Sequence, residues 1–597
     1  MASPVPVLEP ATWGGALLVT AIVIPVAAAL LGVVAGGRRP AWIGLAALPL
    51  GLVVTIAIAT GVASDGGLVY RLGGWAPPLG VALRADGLSA VMLVLAAGVV
   101  TAIGVYAWSD VRIAGGVPEQ RAPYAFWILL LGVWAGLNTV FLAGDLFTLY
   151  VALEILTFAA VPLVCLEGTP ETVQAALRYL LFALVGSVLY LGGVTLLYGA
   201  YGTLDVVLLA QRVTATPAGL VAAALMTVGL LAKTALVPLH LWLPPAHAGA
   251  PPAGSALLSA LVVKGSFFIV VRLWFDVMPS LATVAATQLV SALGAAAVLL
   301  GSLVALRQER LKLLIAYSTL AQIGYLFLMF TLAFDVDAAA MQRGGALAGG
   351  MLQAMSHAAA KAAMFMAAGA IYAALGHDRI ADLAGAGRRV PGAVAAFALG
   401  GVALVGLPPG GAYLAKELLL RAAADTGQWW WAVVIQAGGA FTAAYLVLVL
   451  ARVFRPATAT PTDAAQADRM APRGVAWSQQ AAALALAASS LSLGLIDWSP
   501  WLPVAPGSRL TASLADTIAA SAWPLAAGAG LAVLIGRWTP SRAPTSAAAV
   551  LAPLRHAGGA LGTGACRIDG SLRRWPVAGL SLLALAIVLG IALSARP

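Results

Sequence analysis

Charge is the scarcest property of this chain. Only 9% of its 597 residues are Asp, Glu, Lys or Arg, against roughly a quarter in soluble proteins, which excludes a soluble fold of this size. Cysteine is scarcer still: Cys165 and Cys566 are the only two, too few for a metal cluster or a disulfide framework. No phosphate-binding loop or dinucleotide fingerprint occurs, nor any Cys/His spacing suited to zinc, iron–sulfur or haem. Any electron chemistry therefore belongs to a partner, and no cofactor or metal is expected in this chain. The net charge is +10, yet no basic run is interleaved with aromatics, which excludes nucleic acid as a partner. The first residues lack the basic region and cleavage site of a signal peptide, so the first apolar run is expected to stay in the mature chain.

What fills the sequence is apolar: 61% of residues are hydrophobic, in runs of about 20 residues, the length of one hydrocarbon crossing. They predict an all-α polytopic membrane bundle of about 16 transmembrane helices between residues 12 and 594. Lys and Arg concentrate in loops after odd-numbered spans, among them Arg38, Arg39, Arg112, Arg121, Arg307, Arg310, Arg388, Arg389, Arg537 and Arg542. Loops after even-numbered spans hold fewer, such as Arg71, Arg343 and Arg509. The positive-inside rule then places the N-terminus outside a bacterial cytoplasmic membrane. Two spans are interrupted by proline, the seventh at Lys233–Pro245 and the twelfth at Gly406–Lys416, and broken helices in lipid are tolerated only where they line protein or water. They lie five spans apart. An odd number of spans inverts a repeat, so two inverted five-helix repeats with discontinuous helices are expected. The divisions are flanking helices at 1–122, repeats at 123–276 and 283–453, and a C-terminal extension at 454–597. The segment 538–576, rich in proline, glycine and arginine, reads as a basic cytoplasmic loop.

Lysine usage is the most informative count. Of 33 basic residues only Lys233, Lys264, Lys312, Lys361 and Lys416 are lysines. A buried ammonium can release its proton and a guanidinium cannot, so lysines retained inside spans 7, 8, 11 and 12 point to proton transfer. Glu154, in the middle of span 5, needs a counter-charge, and Lys233 is the candidate; the pair is either a proton-release switch or a permanent salt bridge. His357 and Lys361 lie one turn apart on span 11 and suit a relay. Lys416 would end the row. Secondary candidates are Asp145 at the mouth of span 5, His240 as an acceptor from Lys233, His247 in the following loop, and Glu417. Lys312 reads as a positive-inside anchor, and His377 and His556 as bystanders.

The run Leu-Ala-Lys233-Thr-Ala-Leu-Val-Pro-Leu-His240-Leu-Trp-Leu-Pro-Pro-Ala-His247, followed by Val-Lys264-Gly, resembles the signature of the antiporter-like, proton-pumping membrane subunits. These occur in respiratory complex I (L, M and N types), Mrp cation/proton antiporters and membrane-bound hydrogenases. Leu311-Lys-Leu-Leu-Ile-Ala-Tyr-Ser-Thr-Leu, Ser356-His-Ala-Ala-Ala-Lys361 and Gly406-Leu-Pro-Pro before Lys416 extend the likeness over roughly residues 70–425. The stretch Tyr70–Asp86 looks most like the Mrp D-type and hydrogenase-type branch. The resemblance implies a lateral proton path over Glu154, Lys233, Lys264, His357 with Lys361, and Lys416, within an assembly of several membrane subunits. Three features depart from the pattern: Arg178 where many relatives have a span 6 lysine, Pro245 in place of an acidic residue, and two spans beyond the usual fourteen. The implied function is a proton-translocating subunit of an Mrp-type antiporter, with sodium as an open second ion. The alternatives are a pumping subunit of an NADH:quinone oxidoreductase or hydrogenase, an energising subunit for inorganic-carbon uptake, and a transport-dead scaffold.

Overall fold

Thirteen helices among the described residues are long and apolar enough to cross a bilayer. The structure, a computed structural model, describes residues 12, 14–110, 121–455, 474–504, 514–535 and 545–595; Arg112, Arg509, Arg537 and Arg542 lie outside them. The chain begins with α1 (Ala16–Ala35), α2 (Arg39–Asp65), α3 (Gly87–Asp110) and α4 (Arg121–Leu142). Between α2 and α3 sits a hairpin the hydropathy pattern did not announce: β1 (Leu68–Arg71) pairs antiparallel with β2 (Ala82–Ala85), Leu68 opposite Ala85.

Next come α5 (Leu146–Val164), α6 (Pro170–Tyr201), a short α7 (Val206–Arg212) and α8 (Pro217–Thr234). Side-chain caps set their starts. Asp145 accepts from the backbone N–H groups of Phe147 and Thr148, and Thr169 and Thr216 each cap a helix with proline at its first position. After α8 the chain breaks, resumes as α9 (Leu243–Gly249), and re-enters as one span, Pro252–Val277. That span joins α10 (Pro252–Leu257) and α11 (Val263–Arg272) through a π-helical turn at Leu258–Val262, with a second at Leu273–Val277.

The second half runs through α12 (Val284–Ala305), α13 (Leu311–Leu332), the minimal hairpin β3 (Phe334–Asp335) and β4 (Ala340–Met341), and α14 (Gly345–Leu375). After the single turn α15 (Ala386–Arg389), the twelfth span is two half-helices, α16 (Pro391–Val405) and α17 (Gly411–Asp425), followed by α18 (Trp429–Val453). The C-terminal extension supplies α19 (Trp477–Ser492), α20 (Leu514–Ile535), α21 (Thr545–Leu572) and α22 (Trp575–Ser594). At the centre stands α14, buried almost throughout and packed on α10, α13, α16, α17 and α19.

One expectation fails outright. The segment 538–576 is not a loop, because α21 occupies 28 of its residues as a continuous helix. Pro540 and Pro544 lie outside the described residues, Pro576 opens the next helix, and Pro553 lies on the exposed side of α21. The glycines that argued for a loop are contact points. A Cβ at Gly558 would stand 2.6 Å from the Leu534 carbonyl oxygen, and one at Gly562 2.8 Å from the Arg307 side chain, so their absence lets α21 lie flat against α20 and α12. α22 then packs against α8, so the extension bridges from α18, where α20 docks, back to the first half.

Candidate functional site

The two breaks are built alike. α8 ends on Ala235, in the left-handed region at φ 59°, and α16 ends on Gly406 at φ 78°. The last carbonyls of a broken helix need donors. The Trp242 indole N–H donates to the Ala232 carbonyl at 3.0 Å, and Lys416 Nζ to the Val405 carbonyl at 3.4 Å. Lys312, expected to be a positive-inside anchor, reaches inward and donates to the Ala250 carbonyl at the end of α9.

Lys233, in the last turn of α8, donates to Glu154 Oε1 at 3.2 Å and to Thr157 Oγ1 at 2.8 Å. Both hydrogen-bonding groups lie on α5, and Glu154 also accepts from the Ser187 hydroxyl of α6. The side chains of Lys233 and Glu154 are 6% and 15% exposed, so this is a desolvated ion pair with satisfied hydrogen bonds. Beside it a cavity of about 10 Å³, lined by Thr157, Tyr179, Lys233 and Ser266 among others, matches one water. Lys264 follows on α11, fully buried, its ammonium 2.5 Å from the Ser259 carbonyl of the preceding π turn; π turns leave carbonyls free of their usual partners and recur at functional sites. Lys361, also fully buried, donates to Ser318 Oγ and to the Ile315 carbonyl at 3.3 Å. The row therefore starts on a carboxylate and continues over hydroxyls and carbonyls.

Two histidines stand among the central lysines. Lys264 and Lys361 act electrostatically on His357, and Lys312, Lys361 and Lys264 on His247. Among the described residues neither imidazole has a hydrogen-bond partner on either nitrogen, although both are fully buried. Four orphaned ring nitrogens between amines suit a proton relay that waters complete. His247 is not in a loop as expected. It belongs to α9 and stacks on Phe365 of α14, centroids 4.7 Å apart.

The secondary candidates separate. His240 does not accept from Lys233; its Nε2 bonds Asp569 Oδ1 of α21 at 3.0 Å, because the backbone turns away after Ala235. Asp145 is spent capping α5 and accepting from the Thr148 hydroxyl. Glu417 pairs with Arg421 on the exposed side of α17 at 2.6 Å, and Arg178 is half-buried on α6. His556 is exposed on α21, and His377 follows α14.

Asp569 was missed in the sequence. It is 3% exposed and accepts from the Tyr317 hydroxyl at 2.8 Å and from Arg573 at 2.9 Å, besides the His240 bond. Burial pushes its carboxyl up, but the His240 hydrogen bond, Arg573 and Tyr317 together hold it below the ordinary aspartate value. It is the sole acidic residue between 538 and 576, and buried Gly558, Gly562, Ala565 and Asp569 recur at helical spacing, a signal that the prolines masked. Among the described residues no group of three His, Cys, Asp or Glu side chains is placed to hold a metal.

A membrane bundle with two broken helices and a buried row of amines defines a class of ion-translocating proteins. The chain belongs to the NADH:quinone oxidoreductase/Mrp antiporter transmembrane family, whose profile matches residues 143–442. It is 32% identical over 409 residues to the N-type subunit of the NADH-quinone oxidoreductase of Desulforudis audaxviator, covering 68% of this chain and 78% of that one. It is 29% identical to the D-type subunit of the Na(+)/H(+) antiporter of Alkalihalophilus pseudofirmus, covering 62% and 73%. Among solved structures it superimposes on a chain of the Mrp complex from a Dietzia species with a TM-score of 0.71 at 25% identity, covering 87% of this chain and 97% of that one. It is thus a multi-pass membrane protein of a proton-transporting family whose relatives act as subunits of larger membrane complexes.

Proposed function

We propose that this chain is the D-type subunit of an Mrp-like cation/proton antiporter in a bacterial cytoplasmic membrane, with its N-terminus outside. Protons pass along Glu154, Lys233, Lys264, His357, Lys361 and Lys416, across repeats at 123–276 and 283–453, and the chain carries no cofactor. The supporting observation is the desolvated Glu154–Lys233 pair at 3.2 Å, set at the break of α8. When the pair closes, the carboxylate favours the ammonium; when it opens, the buried amine loses that support and gives its proton onward. Asp145 caps a helix, and Arg178 supplies a fixed charge that cannot shuttle.

A second reading, a pumping subunit of a quinone-reducing enzyme, is favoured by the N-type relative at 32% identity. Purifying the intact complex separates the two. Copurifying small membrane subunits and sodium- or potassium-dependent proton exchange support the antiporter; copurifying iron–sulfur subunits with quinone-dependent pumping support the redox enzyme. Under either reading Glu154→Ala and Lys233→Ala abolish proton movement while the complex assembles. Undiminished transport in both variants rejects the proton path itself.

A further inference from the structure

The stretch between Lys361 and Lys416 is spanned by side chains that the row of amines does not account for. Lys361 ends on Ser318, whose hydroxyl donates to the Ile315 carbonyl at 2.9 Å. From α14, Gln353 donates to Gln322 at 2.8 Å, and Gln322 in turn donates to Thr442 Oγ1 at 3.1 Å. Thr442 donates to the Gly438 carbonyl at 2.8 Å. Amide and hydroxyl protons of these groups are thereby committed. Among them stands Tyr445 of α18, fully buried, its hydroxyl acted on by Thr442, Ser318 and Gln322 and making no hydrogen bond of ordinary geometry among the described residues.

The same helix leads to Lys416. A Cβ at Gly439 would lie 2.6 Å from Lys416 Nζ, so the ammonium rests directly on the α18 backbone there. Gly439, Thr442 and Tyr445 occur every third residue, and a helical rise of about 1.5 Å per residue makes that ladder roughly 9 Å long. Its lower rung touches the group that holds Lys361, and its upper rung touches Lys416. A phenylalanine at 445 would fill the same space without stranding a hydroxyl away from water.

We propose that the Tyr445 hydroxyl passes protons between Lys361 and Lys416, with Thr442 and Gln322 positioning it. The inference rests on the reading of the amine row as a proton path. In the forward step a Lys361 N–H bond breaks as an O–H bond forms on Ser318. Ser318 turns its hydroxyl from the Ile315 carbonyl and releases its own proton to Tyr445; Tyr445 releases its proton to a bridging water, and that water gives one of its own to the free amine of Lys416. Each hydroxyl ends as it began, one proton has moved from one amine to the other, and no electron is transferred.

The test uses membrane vesicles carrying the whole complex. Tyr445→Phe is expected to lower coupled proton movement at least tenfold at normal subunit level, with a larger rate loss in heavy water. Fluorotyrosine placed at 445 keeps ring and hydroxyl but weakens the hydroxyl's hold on its proton; it is expected to shift the pH profile of transport, which a packing role does not predict. The fluorotyrosine arm also decides the matter if Tyr445→Phe fails to assemble. Wild-type rates in Tyr445→Phe, or an unmoved pH profile with fluorotyrosine, overturn the proposal. Glu154→Ala and Lys233→Ala are the controls. If they abolish transport while Tyr445→Phe does not, only this inference fails; if they too transport normally, the underlying reading fails with it.

Discussion

The two halves of the bundle treat a buried lysine differently. In the first, Lys233 meets a carboxylate, Glu154, supported by hydroxyls from Thr157 and Ser187. In the second, Lys361 and Lys416 meet a hydroxyl and backbone carbonyls, with no carboxylate in hydrogen-bonding distance among the described residues. A buried ammonium is expensive without an anion, so the Glu154–Lys233 end of the first half is built to hold charge at rest and the second half to hold it in passing. A closed pair at one end and uncompensated amines beyond it give the row a direction: opening the pair is the event that sends a proton onward.

The contrast is broken most severely by removing single members. Glu154→Ala leaves Lys233 buried without its counter-ion, a loss of about 3–5 kcal/mol, and coupled transport is expected to fall below detection. The double variant Glu154→Ala/Lys233→Ala is expected to recover much of the stability and none of the transport, as measured by thermal unfolding of the purified complex and by vesicle acidification. Lys361→Met orphans no carboxylate, so it is expected to keep assembly at the wild-type level while abolishing transport. Equal destabilisation by Glu154→Ala and Lys361→Met erases the distinction between the halves.

Smaller effects sharpen the same comparison where α21 meets the first break. Asp569→Asn replaces a carboxylate that faces His240, Tyr317 and Arg573, and is expected to loosen α21 by about 1–3 kcal/mol, seen as faster amide exchange over residues 560–572. Because the folded carboxyl is held below its ordinary value, its contribution is present in full above about pH 4 and is lost as pH falls from there through the lowered value. Exchange over that segment should therefore rise on acidification, and Asp569→Asn should flatten the rise. Smallest is Ala235→Gly. A left-handed alanine costs about 1–2 kcal/mol, while Gly406 closes the matching end of α16 without that strain. The variant is expected to stabilise the break slightly, read as a small upward shift in melting temperature.

The membrane bundle and the amine row were legible because they rest on scarcity: five lysines among 33 basic residues stand out in an apolar chain. Glu154 and Lys233 could be paired since each alone is too costly to bury. The rest was hidden for physical reasons. Thr157, Ser187 and Ser318 are common in membrane helices, so their hydrogen bonds to the row emerge only from helix packing. α21 was hidden by its own composition, since glycines that permit close approach and a proline that opens the next helix also describe a loop. A loop at that position offers no buried site for Asp569, and without Asp569 the sequence leaves Lys233 as the available partner for His240.

Lys264 tests the proton path most directly, because it is the last lysine of the first half before the second, and its ammonium rests on a backbone carbonyl at 2.5 Å with no carboxylate bonded to it among the described residues. The measurement is proton movement into vesicles carrying the assembled complex with Lys264→Met, compared with wild type at equal subunit content. The expected result is an assembled complex in which coupled proton movement is lost. Wild-type proton movement in that variant would contradict it.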